Sequence, residues 1–264
     1  MDGISELSGV EPWLFQGAPA LVAHRGNAQK YPENTLLALK SAVDVGAYFL
    51  EFDIQLSKDG VPFLMHDDNF LRTAGLDACV FDLDMSQIES IAVGQENIFG
   101  GAFPSETPIT LQALCSRLNT WTHVHSFIEI KRQSVEYFGC EKVVDSVLNV
   151  LDELSARHSI ISFNDDVVRS VKARSNKNVG WVIPKWDEYS LQILDELSPD
   201  FVFCNYHKVP LDTRLPKDRG HWVLYDIDDL ATAVYWRNRG ADLIEAMAVE
   251  PMLAGLRGKT SEDE

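Results

Sequence analysis

The sequence predicts an α/β fold of the TIM-type (β/α)8 barrel class, with a segment inserted after the arm that carries His66. Three observations carry this expectation. Short apolar runs alternate with segments of helical period along most of the chain. With one antiparallel return arm set aside, eight strand candidates stand in βα order, a count that favours a closed barrel over an open doubly wound sheet. The residues suited to chemistry sit at the ends of the apolar runs, as they do where parallel strands deliver side chains to one end of a sheet. A Rossmann sheet would want a glycine-rich turn after its first strand, and His24-Arg25-Gly26-Asn27 offers a single glycine.

Taken in order, Val22-Ala23 is the first run and ends in His24-Arg25. A helix is expected from Asn34 to Val45: Asn34 or Thr35 can cap it, Leu36, Leu39 and Val43 fall on one stripe, and Gly46 closes it. Phe49-Leu50 opens the second strand and leads into Glu51-Phe52-Asp53. The run Val61 to Met65 follows a connection containing Asp59-Gly60, too short for a parallel crossover. It is therefore expected as an antiparallel arm that returns His66 to the height of Glu51. Residues 68 to 108 hold no sustained period and many turn formers, among them Gly100-Gly101, Pro104 and Pro108, and read as an excursion over the barrel mouth.

After it the alternation resumes with a helix Leu111 to Leu118, a strand Ser126 to Lys131, and a helix whose Val144, Val147, Leu148, Leu151 and Leu154 form one apolar stripe. Further strands are expected at Ser159 to Phe163, Val179 to Ile183, Phe201 to Cys204, Trp222 to Tyr225 and Ala241 to Glu245. The tail, 258–264, is small, polar and acidic and reads as frayed. With no internal repeat, low-complexity tract or linker, 1–264 reads as a single domain, and a barrel of roughly 250 residues is routine.

The balance of 23 Lys and Arg against 40 Asp and Glu gives a net charge of −17, which opposes a polyanion on any broad surface and excludes nucleic acid as the expected partner. A small anionic substrate is compatible with it if a metal and a few cations reverse the sign locally. Cys79, Cys115, Cys140 and Cys204 are scattered without CxxC spacing and read as free thiols of a reducing compartment. The N-terminal MDGISELSGVEPW lacks the apolar core of a signal peptide, and no run approaches the roughly 20 apolar residues of a membrane span. A soluble, cytoplasmic protein is the expectation.

Glu51 and Asp53 stand two apart in a strand and so share a face, with Phe52 turned the other way. Together with Glu129 they make a hard oxygen set suited to one divalent cation, Mg²⁺ or Ca²⁺ with Mn²⁺ also acceptable, and they lack the Cys and His ligands of a structural zinc site. Carboxylates this close raise one another's pKa unless a cation sits among them. Arg25 and Lys131 bring fixed positive charge for a substrate phosphate, although pairing with the same acids is the alternative. His24 and His66 exchange protons near neutral pH and fit a general base and a general acid. The other histidines, His123, His125, His158, His207 and His221, read as structural. Ser162-Phe163-Asn164 offers a rim hydroxyl or an apolar wall.

The pieces His24-Arg25-Gly26, Pro32-Glu33-Asn34-Thr35, Glu51-Phe52-Asp53, Asp59-Gly60, His66-Asp67, Glu129-Ile130-Lys131 and Ser162-Phe163 occur in this order over about half the chain. In that combination the sequence resembles the glycerophosphodiester phosphodiesterase family. The resemblance implies a TIM barrel, a metal held by Glu51, Asp53 and Glu129, a histidine pair at His24 and His66, and release of sn-glycerol 3-phosphate and an alcohol from deacylated phospholipids. The insertion after His66 falls where that family carries its own. The C-terminal third departs from the family: Tyr225-Asp226-Ile227-Asp228 stands where the family tends to show Trp-Thr-Val-Asn, and Ala246-Met247 where it shows Thr-Asp. These positions fall on the expected barrel mouth, where the alcohol would sit.

Three rival readings follow from the same residues. A phospholipase-like phosphodiesterase would take lysophospholipids. A TIM-barrel glycosidase could use Glu51 with Glu129, but leaves the histidines and Lys131 without work. A non-catalytic barrel binding a phosphorylated metabolite would be expected to lack a histidine or an acid of the set.

Overall fold

The computed structural model describes residues 19–260. The N-terminal stretch read above and residues 261–264 lie outside the described residues. Eight parallel strands close on themselves: β1 (Ala20–His24), β2 (Phe49–Leu56), β4 (His125–Ile130), β5 (Arg157–Ser162), β6 (Asn178–Val182), β7 (Phe201–Asn205), β8 (His221–Tyr225) and β9 (Leu243–Ala246). Closure comes from β1, which pairs in parallel with β2 on one side and β9 on the other. The antiparallel arm β3 (Pro62–Leu64) lies on β2 through Ile54↔Leu64, as its short connection requires. This is the TIM-type barrel expected from the sequence.

The alternation of a strand fixes what each residue faces. Val22, Phe49, Phe127, Ile161, Val182, Phe201, Phe203, Val223 and Leu243 form one buried cluster inside the barrel. Their neighbours of opposite parity, such as Ala23, Leu50, Phe52, Ile128 and Ile160, join the larger core with the helices. Two residues onward from the inner cluster, the inward positions turn polar: His24 after Val22, Glu51 and Asp53 after Phe49, Glu129 after Phe127, Glu245 after Leu243. The barrel therefore has an apolar floor and a charged upper layer.

Helix Leu36–Asp44 starts where expected, with the Thr35 hydroxyl accepting from the Ala38 amide at 3.1 Å. The first turn of the chain presses against this helix at Gly26, where a Cβ would stand 2.6 Å from the Ala38 carbonyl carbon and φ is +86°. Only glycine fits there.

Two expectations need correction. Lys131 lies outside β4 and is the N-cap residue of a separate helix, Arg132–Phe138, which is too short for its period to stand out in the sequence. The next helix is Cys140–Leu151, with Gly139 at φ +86° breaking the two apart, and Leu154 is buried beyond its end. The insertion holds short helices Leu71–Ala74, Met85–Ile88 and Glu96–Phe99 and a core of its own in which Phe70, Val80, Phe81, Met85, Ile88 and Val93 pack on Phe63 and Met65. The backbone of helix Val249–Thr260 runs into the stretch read as a frayed tail, with Met252 buried upstream.

All four cysteines are unpaired. Burial pushes the Cys115 thiol up to about 11 and that of Cys204 up to about 12. Among the described residues no helix is long and apolar enough to cross a membrane.

Candidate active site

The upper layer begins with Arg25, which leaves β1 in the left-handed region at φ 55°. That backbone costs on the order of 1–3 kcal/mol for a residue with a side chain and persists because its surroundings hold it. The Arg25 amide donates to Glu51 Oε2 at 3.1 Å. Asn34, also left-handed at φ 56°, grips Asp53 from two sides: its amide nitrogen donates to Asp53 Oδ2 at 2.9 Å while its oxygen accepts from the Asp53 backbone at 3.0 Å. The two turn residues thus register the acids of β2 against the end of β1.

Ligand-capable oxygens of Glu51, Asp53 and Glu129 lie within 4.8 Å of one another, and all three residues are buried. Burial, then the charges of Asp53, Glu245 and Glu129, push Glu51 well above the usual carboxylate range. Glu129 is also raised, by burial, despite Lys131. In Asp53 burial acts upward too, but Lys131 and then Arg25 outweigh it and hold the carboxyl far below its ordinary value. Glu51 Oε1 is buried with no hydrogen-bond partner. An orphaned oxygen inside a hard, crowded carboxylate set fits a divalent cation.

Arg25 and Lys131 reach the same acids. Lys131 Nζ lies 3.0 Å from Asp53 Oδ1 and 2.6 Å from Glu129 Oε1, while Arg25 Nε faces Asp53 Oδ2 at 3.1 Å as an ion pair rather than an aligned hydrogen bond. Arg25 Nη1 donates to Glu33 Oε1 at 2.9 Å. The pairing alternative raised from the sequence is therefore present among the protein groups, and it coexists with exposure of both cations to the cavity.

The two histidines differ in setting. His24 is buried, and that burial, followed by the Arg25 charge, lowers its pKa to about 3, so its ring is neutral at pH 7. Its Nε2 stands 3.2 Å from Glu245 Oε1 and 3.9 Å from Glu51 Oε2. With the ring neutral, the Glu245 contact is not an ion pair. His66 is more open, and its Nδ1 lies 2.6 Å from Asp67 Oδ1. Burial pushes Asp67 up, but hydrogen bonds from His66 and Arg72 prevail and keep its carboxyl well below the usual range.

His24, Arg25, Glu51, His66, Glu129 and Lys131 line a cavity of about 230 Å³. Its opposite wall is Ile161, Phe163, Val182, Phe203 and Tyr225, with Asp226 and Glu245 at the margins. A larger hollow of about 700 Å³ lies within the insertion, but only Arg72 and Glu96 bring charge to it and no histidine lines it. Chemistry follows the smaller one. Of the seven residues singled out from sequence, Asp53 lies just behind this wall, and the other six face the cavity. Phe163 is part of the wall, whereas the Ser162 hydroxyl donates to the Ile130 carbonyl at 2.7 Å and is structural. His125 sits deep in the barrel with Nε2 2.9 Å from Ser159 Oγ, as a structural histidine should.

Sequence reasoning missed Glu245, Arg72 and Gln95, and it carried Glu33 and Asp67 only as parts of motifs, with no role of their own. Parity could have found the first, since Leu243 and Glu245 stand two apart in a strand that was expected. Nothing local ties Arg72 and Gln95 to Glu33, because they stand 39 and 62 residues from it.

Comparisons with known proteins agree with this geometry. The chain is 32% identical over 154 residues to a glycerophosphodiester phosphodiesterase of Caldanaerobacter subterraneus subsp. tengcongensis, a match covering 58% of this chain and 61% of that protein. A shorter stretch of 72 residues is 46% identical to a human glycerophosphoinositol inositolphosphodiesterase, covering 27% of this chain and 13% of the relative. The chain thus spans less than two thirds of the length of the curated relatives it matches. In fold, it is similar to a phosphodiesterase of Oleispira antarctica solved with the product sn-glycerol 3-phosphate, with a TM-score of 0.81 at 20% identity, covering 92% of this chain and 99% of the other. Residues 24–205 match the model of the glycerophosphoryl diester phosphodiesterase family, and this chain belongs to that family.

Proposed function

We propose that this protein hydrolyses glycerophosphodiesters to sn-glycerol 3-phosphate and an alcohol. One observation carries the reading: a carboxylate set with an orphaned oxygen, two fixed cations and two histidines of unlike environment meet on a single small cavity. Family membership supports it. Glu51, Asp53 and Glu129 would hold one divalent cation, Mg²⁺, Ca²⁺ or Mn²⁺, which supplies charge neutralisation at the phosphate oxygens.

Arg25 and Lys131 add fixed positive charge against the phosphate oxygens. His24, neutral and buried, takes the proton of the nucleophile, whether that is water or the glycerol's own hydroxyl on the way to a cyclic phosphate. His66 donates from Nε2 to the departing alcohol, because Asp67 already accepts at Nδ1. The apolar wall of Phe163, Phe203 and Tyr225 takes the uncharged part of the substrate. Four unpaired thiols support a reducing, cytoplasmic setting.

The test is release of sn-glycerol 3-phosphate from glycerophosphocholine, assayed beside a lysophospholipid and an aryl glycoside. Turnover should vanish after exhaustive EDTA dialysis and return with Mg²⁺ or Ca²⁺. Full activity in the dialysed protein would remove the metal from the reading, and turnover of the glycoside alone would remove the phosphodiester.

A further inference from the structure

We propose that Arg72, a residue of the insertion, is a positioning residue that holds the proton donor His66 and the phosphate-facing Arg25 in one rigid frame. The inference rests on the phosphodiesterase reading and adds to it a part no barrel strand supplies. His66 belongs to the segment after β3 and Arg25 to the end of β1, and no hydrogen bond joins the two directly among those seen.

Arg72 joins them through two acids. Its Nε donates to Asp67 Oδ2 at 2.7 Å, and Asp67 Oδ1 holds His66 Nδ1 at 2.6 Å. Its Nη1 and Nη2 donate to Glu33 Oε2 and Oε1, both at 2.7 Å, and Glu33 Oε1 also accepts from Arg25 Nη1 at 2.9 Å. A planar fork that bridges one carboxylate bidentately and a second through Nε fixes the angle between them as well as the distance. The insertion adds a further tie at Gln95, whose oxygen accepts from the Glu33 backbone at 3.0 Å and whose amide nitrogen donates to Glu33 Oε2 at 3.2 Å.

The consequence for chemistry has two arms. Through Asp67, Arg72 fixes which nitrogen of His66 faces the leaving group; through Glu33, it fixes the Arg25 fork against the phosphate. A misplacement near 1 Å in a reacting geometry costs on the order of 10²-fold in rate. Loss of Arg72 should therefore lower kcat where a proton must be delivered and raise KM for every phosphodiester. A residue serving only to hold the insertion together would lower stability and impair all substrates alike.

The experiment compares glycerophosphocholine with a glycerol nitrophenyl phosphate, whose aryl oxide departs without a proton, in Arg72→Met, Arg72→Lys and Asp67→Asn. In Arg72→Met, kcat on glycerophosphocholine should fall roughly 30-fold, kcat on the aryl substrate should stay within about threefold, and KM should rise about fivefold on both. Arg72→Lys should not rescue, because one ammonium cannot span three acceptors. Asp67→Asn, which leaves the Glu33 arm intact, should reproduce the kcat contrast without the KM change. Equal kcat losses on both substrates, or rescue by lysine, would overturn the proposal while leaving the function standing. A wild-type protein that turns over neither substrate would instead overturn the function itself.

Discussion

The two halves of the barrel share a floor and differ above it. From β1 to β4 the upper inward positions are His24, Glu51, Asp53 and Glu129, with Arg25 and Lys131 at the strand ends. From β5 to β9 the cavity is walled instead by Ile161, Val182 and Phe203 of the apolar cluster itself, with Tyr225 above them, and Glu245 is the one buried acid. Both halves follow the same alternation over the same apolar layer. Among the described residues, charge is concentrated on one wall, which carries every cation of the cavity and both histidines, while the other brings only Asp226 and Glu245. In the reaction proposed above, bond breaking would fall to the first half and recognition to the second.

The largest effects should come from the charged half. His66→Ala should cost about 10² to 10⁴ in rate on glycerophosphocholine, whose alkoxide is a poor leaving group, and spare an activated aryl ester. His24→Ala should damage both. Equal losses in the two variants would erase the division of labour between the histidines and leave His66 a ligand or a positioning group.

A smaller effect tests the apolar half. Phe163→Ala should raise KM roughly tenfold with kcat unchanged, the signature of lost uniform binding on a ring that contributes buried area and no charge. A fall in kcat with KM unchanged would instead place this wall in the reacting centre and break the comparison.

The smallest effect concerns the acid that stands in the wrong half. Glu51 and Glu245 are raised well above the ordinary carboxylate range, with burial the main cause. A carboxyl whose folded pKa is raised keeps its proton longer in the folded state. It contributes stability below its unfolded pKa that is lost as pH rises toward the folded value, by up to about 1.4 kcal/mol per pH unit for each group. His24, lowered to about 3, acts in the opposite sense: its contribution is present above 6.5 and fades as pH falls. His158, lowered by burial, acts with His24, and Glu129, raised by burial, acts with Glu51 and Glu245; above 6.5 the histidines add no slope and the carboxyls set the sign. Thermal melts of the metal-free protein should show Tm falling as pH rises above 6.5, and Glu245→Gln should flatten the slope and raise Tm more at pH 8 than at pH 5. A slope unchanged by that substitution would show that Glu245 is not strained by its burial.

The same contrast explains what could be read in the sequence. In the first half, chemistry is written in short groups such as His24-Arg25 and Glu51-Phe52-Asp53, where strand parity converts spacing directly into a shared face. The antiparallel arm was legible because Asp59-Gly60 leaves no room for a crossover. Elsewhere the signal is long-range or too short. Glu245 stands alone, and only closure of β9 on β1, Val22↔Glu245, brings it beside His24. Arg72 reads as one cation in a turn-rich segment until folding sets it against Glu33. The insertion's helices run four residues each, below the length at which a period can declare itself.

The two buried thiols give the barrel a clock. Alkylating reagents attack the thiolate, and Cys204 in β7 and Cys115 in helix Leu111–Leu118 are both buried and both biased toward the neutral thiol. Neither can react until its surroundings open. One sits in the recognition half and the other ahead of β4 in the charged half, so their labelling rates report separately on the opening of each wall. Equal rates would mean that the ring of strands breaks as one unit; unequal rates would date which wall lets water in first.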